Sequence, residues 1–332
     1  MNKRPEFSES ENLSSQVENI LGHYDKSVPY LAGISGGVDS MVLLALLAHS
    51  GFRHIIVVHV NHKIRGADAD ADATRVVDAA QKFSFPAEVV EVDVPARATA
   101  ENMSVETMGR MVRWEAFACM GERYGTKNVF LAHHADDEIE TFLFNLFRGT
   151  GVSGLTGMQP EREITINGRA LLLLRPLLNI WKHELLAFAE QAGVQFGEDF
   201  TNEELEYARN RIRSGLLPEL NKWMRRDIRA NVKRTMGILA LEDAFLETLI
   251  PAWAQEEKLP VAAMRELHPA MQRRVIRRWL MHHKIPGPDF RVIQDVLRLV
   301  DESETIHKIN LPTGRHARRT AGWIYIETHS SS

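Results

Sequence analysis

Along the first 175 residues, short β-branched apolar runs alternate with segments whose apolar positions recur at helical spacing. Residues 15–24 read as a leading helix, 28–34 as a first strand, 41–49 as its helix and 54–60 as a second strand. Residues 68–83 read as a helix, 87–94 as a third strand, 104–124 as a long helix and 128–132 as a fourth strand. Ile139, Phe142, Leu143 and Leu146 then mark the inner face of another helix. An Asn167-Gly168 turn of the hairpin type precedes a last strand over 171–174, and residues 181–192 read as a helix. Alternation of this kind implies an α/β domain, a parallel sheet with helices on both faces. From residue 221 the pattern turns helical, with a small hairpin between 308–314 and 323–326. The expected division is 1–218 and 219–332, the second part being mostly helical.

Parallel sheets bind ligands at the carboxyl ends of their strands, and three polar clusters fall there. The first, Ser35, Gly36, Gly37, Val38, Asp39 and Ser40, turns the first strand into its helix. Two glycines allow a sharp turn that brings backbone N–H groups to an anion, the serines add hydroxyls, and the helix end adds partial positive charge. A Walker loop would also carry a lysine for the terminal phosphates, and none stands here. An ordinary glycine turn is the competing reading. The second cluster, from His59 and Asn61 through His62, Lys63 and Arg65 to Gly66, is rich in side chains able to contact a base or ribose. The third, with His133, His134, Asp136, Asp137 and Glu140, opens a helix. First-turn carboxylates suit helix capping, but also Mg²⁺, which takes one or two carboxylates beside phosphate oxygens. One of Asp136 and Asp137 would reach such an ion, with Asp39 helping to hold it. Arg110 and Arg113 share a helix face with Trp114 beside them, either as solvated arginines or as a grip on phosphates.

Composition narrows the class. The 332 residues are 44% apolar and 25% charged, and the single cysteine, Cys119, excludes a disulfide framework and thiolate metal sites. Residues 1–20 lack the apolar core of a signal peptide, and no run reaches the length of a membrane span, so no membrane partner and a cytoplasmic location are expected. The formal net charge is −4, yet between Arg209 and Arg234 nine Lys or Arg stand against only Glu219 and Asp227. A charge run is usually a solvated face. On an otherwise acidic chain, a basic stripe with Arg213, Arg225, Arg226, Arg229, Lys233 and Arg234 suits a nucleic-acid backbone better. Arg273, Arg274, Arg277 and Arg278 form a second basic set.

Ser-Gly-Gly-x-Asp-Ser resembles the PP-loop of the ATP pyrophosphatase superfamily, whose fold is adenine nucleotide alpha hydrolase-like. Taken with His-Val-Asn-His-x-x-Arg-Gly from His59, Asn102 with Arg110 and Arg113, Ala-His-His-Ala-Asp-Asp with Glu140-Thr141, Arg148-Gly149, Arg-Pro-Leu-Leu from Arg175, Glu198-Asp199 with Thr201-Asn202, and Arg-Asn-x-Ile-Arg from Arg209, the set resembles the tRNA(Ile)-lysidine synthetase family over about residues 28–220. The resemblance implies ATP and Mg²⁺ as cofactors. It implies adenylation of the wobble cytidine of the isoleucine tRNA with a CAU anticodon, and attack by free L-lysine. It places Asp39, Arg110, Arg113, His133 and Asp137 in catalysis, residues 35–40 with His59 and Asn61 on ATP, Asp39 and Asp137 on the metal, and Asp137, Glu140 and Arg209 on lysine. A second copy of the chain is a candidate partner. On this resemblance the chain is expected to be the shorter form, without the family's large second C-terminal domain, which leaves open how the acceptor stem would be held. A PP-loop tRNA thiolase, an amidotransferase-type synthetase and a non-catalytic adenine-nucleotide sensor are the rivals.

Overall fold

The structure is a computed structural model describing residues 9–64, 66–197 and 210–327. Its contacts divide the chain into two compact units, Met1–Arg148 with Gly157–Thr235, and Gly149–Thr156 with Met236–Ser332. The division thus falls within a helix at residues 235 and 236, where the sequence pattern places it at 218 and 219.

The first unit contains α1 (Glu9–Leu21), β1 (Tyr30–Gly33), α2 (Val38–His49), β2 (Ile55–Asn61), α3 (Ala67–Lys82), β3 (Ala87–Glu91), α4 (Val94–Ala100), α5 (Val105–Tyr124), β4 (Asn128–Phe130) and α6 (Ala135–Arg148). After these come β5 (Glu161–Ile166), β6 (Arg169–Leu174), α7 (Lys182–Gln191), α8 (Leu217–Met224) and the start of α9 (Arg229–Thr248). Among the described residues its sheet has six strands in the order β3-β2-β1-β4-β6-β5, all neighbours parallel except the β5–β6 hairpin at one edge.

Period-two alternation decides the layers. Tyr30, Ala32, Ile55 and Val57 pack into one core with Leu43, Leu44 and Leu47 of α2, and with Leu13, Val17 and Leu21 of α1. Leu31, Ile56 and Val58 face the opposite core with Phe117 and Ala118 of α5. The sheet is therefore buried on both faces, and α2 reads as apolar almost all round because nine of its residues, Val38 and Ser40 to Leu47, are buried.

The expected third strand ends earlier than its apolar run. Asp93 caps a short helix instead, its carboxylate accepting the Ala96 N–H at 2.9 Å. Pro95 sits in the first turn, where its missing N–H costs nothing. Asn167 and Gly168 both adopt positive φ, as the hairpin turn requires, and the turn pairs the polar β5 with β6.

The second unit comprises the rest of α9, α10 (Val261–Glu266), α11 (Pro269–His282) and α12 (Phe290–Leu297), with β7 (Lys258–Pro260), β8 (Lys308–Asn310), β9 (His316–Thr320) and β10 (Trp323–Glu327). The expected hairpin is part of an antiparallel sheet ordered β7-β10-β9-β8. Trp279, Val275, Ile276 and Leu280 of α11 pack with Ala317 and Ile324 of that sheet. Arg274 pairs with Asp243 and Glu247 of α9, at 2.6 and 2.9 Å, and Arg278 pairs with Glu247. Half of the second basic set is thus an internal strut, while Arg273 and Arg277 are exposed. Residues 149–158, which include Gly149, Gly151, Gly154 and Gly157, form a 3₁₀ turn at Val152–Gly154, where Ser153 donates to Asp243 at 2.8 Å.

Candidate active site

In an open parallel sheet the crevice forms where strand order reverses. Here β1 lies between β2 and β4, so the loops after β1 and β4 open onto one another. The first carries residues 35–40 and the second leads into α6.

The first loop is held by its own hydroxyls. Ser40 Oγ donates to Gly37 O at 2.9 Å and accepts the Ser35 N–H at 3.1 Å, while Ser35 Oγ lies 3.1 Å from Ser40 Oγ. Gly36 has φ +96°, and a Cβ there would meet Asp72 at 3.2–3.3 Å. Its carbonyl accepts the Gly197 N–H at 2.9 Å, and Gly37 bridges Gly197. A Gly36→Ala change therefore adds both strain at positive φ and a tight contact. The expected result is a stability loss of about 1–3 kcal/mol in thermal or denaturant unfolding, with weaker nucleotide binding. An unaltered unfolding midpoint would show that the loop tolerates a side chain at this position.

Asp39, in the first turn of α2, meets an ammonium and an imidazole. Lys182 Nζ lies 2.7 Å from each carboxylate oxygen, and His134 Nε2 lies 3.5 Å from Oδ2. Burial works to raise the Asp39 pKa, but His134 and Lys182 outweigh it and hold the carboxyl below its ordinary value. His134 is 2% exposed. Desolvation works against its protonation, yet Asp39 and Asp137 together raise its pKa.

The first turn of α6 uses its carboxylates fully. Asp137 accepts the His134 N–H at 3.0 Å, which is capping geometry. Its other oxygen lies 3.4 Å from Arg213 Nη2. Asp136 accepts the Lys182 N–H at 2.8 Å and pairs with Arg229 at 2.5 Å. Glu140 is 2% exposed and paired with Arg213 through both oxygens, at 2.5 and 3.2 Å. Arg213 stands in a π-helical turn, Ile212–Leu216, which runs directly into α8.

The structure thus brings Asp39, Asp137, Glu140 and Arg213 to one place together with His134, and adds Lys182, which was not singled out from the sequence. His133 is half-buried. Asn61 is 1% exposed, its amide donating to Asp70 and accepting the Lys63 N–H. His59 Nδ1 donates to Ile34 O at 2.9 Å, tying β2 to the end of β1. Both therefore shape the loop. Burial beside Arg113 and His59 pushes His62 down to about 4, keeping it neutral. Arg110 and Arg113 are exposed on α5, with Arg110 over the Trp114 ring at 5.9 Å.

Of the basic stripe, Arg229 is held by Asp136 and Asp227 and lies over Trp181 at 5.3 Å. Lys233 donates to Glu138 and to Leu178 O, both at 2.6 Å. Arg225, Arg226 and Arg234 are exposed. Arg209, Arg65 and the segment with Glu198, Asp199, Thr201 and Asn202 lie outside the described residues.

A doubly covered parallel sheet with a glycine cradle at its switch point defines a PP-loop α/β domain. Residues 9–220 match the PP-loop domain family, and residues 259–325 match the TilS substrate binding domain. A tRNA(Ile)-lysidine synthase from Caldanaerobacter subterraneus is 34% identical over 89% of this chain and 63% of its own length. One from Thermosynechococcus vestitus is 33% identical over 89% of this chain and 85% of its length, and one from Bacillus subtilis is 32% identical over 70% and 49%. The chain belongs to the tRNA(Ile)-lysidine synthase family, and spans from about half to most of these relatives' lengths. Among solved structures, the U34-tRNA thiolase NcsA from Methanococcus maripaludis superposes with a TM-score of 0.57 over 69% of this chain and 78% of its own. At 17% identity it shares the fold. Among the described residues no helix is long and apolar enough to cross a membrane.

Proposed function

We propose that this chain is an ATP-dependent ligase of the cytoplasm that joins free L-lysine to the wobble cytidine of the isoleucine tRNA with a CAU anticodon, making lysidine and releasing AMP and pyrophosphate. The observation that carries the reading is the convergence of a phosphate cradle at Asp39 with an acidic helix face, Asp137 and Glu140, in one crevice. The cradle suits the triphosphate. The acidic face suits an amine nucleophile.

The 2-carbonyl of cytidine is amide-like and a poor electrophile, and adenylation of its oxygen turns that oxygen into a leaving group. Lysine must then lose a proton before its ε-amine attacks, so a carboxylate or imidazole within reach is required. Asp137, His133 and His134 stand at the mouth of β4 for this. Asp39 and Asp137 both approach His134 Nε2, at 3.5 and 3.6 Å, and are hard oxygen donors, so they fit Mg²⁺ and would hold it. The ion would offset charge on the phosphates. Arg110 and Arg113, both exposed, would hold phosphate, and Arg209, which lies outside the described residues, would hold the lysine carboxylate.

Pyrophosphate release from ATP tests the proposal. Release should require tRNA, and AMP-linked tRNA should be consumed only when lysine is added. ATP turnover without tRNA would favour a different PP-loop chemistry. A thiolase of the cluster-bearing kind is disfavoured, because one cysteine cannot supply the thiolates such clusters require.

The tRNA should dock partly through exposed Arg225, Arg226 and Arg234. Replacing all three with Ala should lower the slope of log affinity against log salt by about 1 per residue, with little effect on ATP binding. Filter binding across a salt series measures it, and an unchanged slope would return these arginines to a solvated surface.

A further inference from the structure

We propose that Lys182 is the phosphate-neutralising cation of this site, the role that a Walker loop gives to a lysine inside its own sequence. The proposal rests on the ATP reading above and assigns the β- and γ-phosphoryl oxygens as the ligand of the Lys182 ammonium. The loop over residues 35–40 carries no basic side chain, so its backbone N–H groups and serine hydroxyls would face the most highly charged end of the nucleotide without an ammonium of the loop's own.

The fold supplies the missing charge from 143 positions along the chain. Lys182 is the first residue of α7 and its Nζ lies 2.7 Å from both oxygens of Asp39, in the first turn of α2. Its backbone N–H donates to Asp136, in the first turn of α6, at 2.8 Å. Three helix N-termini, of α2, α6 and α7, are therefore joined through one residue. Each carries partial positive charge, and their first-turn acids, Asp39 of α2, Asp136, Asp137 and Glu138 of α6 and Glu184 of α7, answer it. A place where three positive helix ends meet would repel an ammonium unless an anion belonged there, and Asp39 supplies that anion without nucleotide. The Lys182 side chain is 33% exposed on a flexible four-carbon stem, so its ammonium can turn to a phosphate beside the loop without movement of either helix.

The competing role is a clamp that only fixes α7 to α2. Ligand series separate the two, because AMP lacks the phosphates assigned to Lys182. Calorimetry on the full chain with ATP, inorganic pyrophosphate and AMP as probes, without tRNA, should show Lys182→Met weakening ATP and pyrophosphate about 10- to 100-fold, the range expected for a lost charge-assisted hydrogen bond. AMP affinity should stay within about twofold, and Lys182→Arg should recover most of the ATP affinity. Parallel weakening of ATP and AMP, or a Met variant with unchanged ATP affinity, would overturn the assignment. A wild-type chain that prefers ATP to AMP through Lys182 yet makes no lysidine would overturn the lysidine reading and leave this one standing.

Discussion

Asp39→Ala is expected to abolish tRNA-dependent pyrophosphate release, by about 100-fold or more, while tRNA affinity changes by less than about twofold. The size follows from what the carboxylate holds. Asp39 engages Lys182 through both oxygens and faces His134 at 3.5 Å, all at the helix end beside the cradle. Removing it leaves a lysine and a buried histidine with less compensation, costs the proposed metal site a ligand, and lets the Lys182 ammonium drift from the crevice. Loss of one preorganised charge-stabilising group is typically worth about 10²–10³ in rate. The tRNA should be insensitive, since the exposed Arg225, Arg226 and Arg234 lie elsewhere in the sequence and on other elements. Pyrophosphate release and filter binding on the same preparation make the comparison. Equal loss of both activities would show that Asp39 chiefly maintains the fold, and Asp39→Asn, which keeps the shape and one of the two acceptor oxygens, should then lose less of both than Asp39→Ala.

The parallel strands and their three polar loops were legible because most of those strands are short apolar runs that stop at a glycine or a polar cluster. A parallel sheet puts those stops at one edge. What escaped was whatever depends on pairing at a distance. Lys182 sits in an ordinary Trp-Lys-His-Glu helix start, and only the strand order brings it to Asp39. The signal available was positional: Arg175-Pro176-Leu177-Leu178 follows a parallel strand, so the next helix must begin at the ligand edge. His133 and His134 are indistinguishable by composition, yet backbone direction at the start of α6 turns His134 between Asp39 and Asp137. Likewise a run of basic residues does not reveal that Arg229 and Lys233 answer Asp136 and Glu138, so net local charge overstates what is offered to a phosphate backbone. The short β7 and polar β5 carry too few apolar positions to announce themselves.

Glu140→Gln is expected to raise the lysine concentration required for lysidine formation by about 10- to 100-fold and to leave adenylated-tRNA formation within about threefold of wild type. Asp137 and Glu140 lie three residues apart on one face of α6, and the structure sets the guanidinium of Arg213 against both carboxylates. A cation is therefore already accommodated where the amine of lysine is proposed to bind, and the charge of Glu140 is what makes the place attractive to either. Gln keeps the shape and one acceptor oxygen but loses the charge, so the expected loss is that of a charge-assisted hydrogen bond, about 1.5–3 kcal/mol. The rival is that Glu140 serves only to fix Arg213 and the π-helical turn to α6. Because Arg213 is 38% exposed, water can take up its guanidinium when Glu140 is neutral, so the stability cost should fall below the roughly 3–5 kcal/mol of a broken, fully buried pair. Following the two half-reactions separately, with unfolding measured on the same variant, decides between them. A lysine-specific defect at near-normal stability supports the binding role. Equal slowing of both steps together with a lowered unfolding midpoint assigns Glu140 to the scaffold, and Arg213→Ala should then reproduce that pattern.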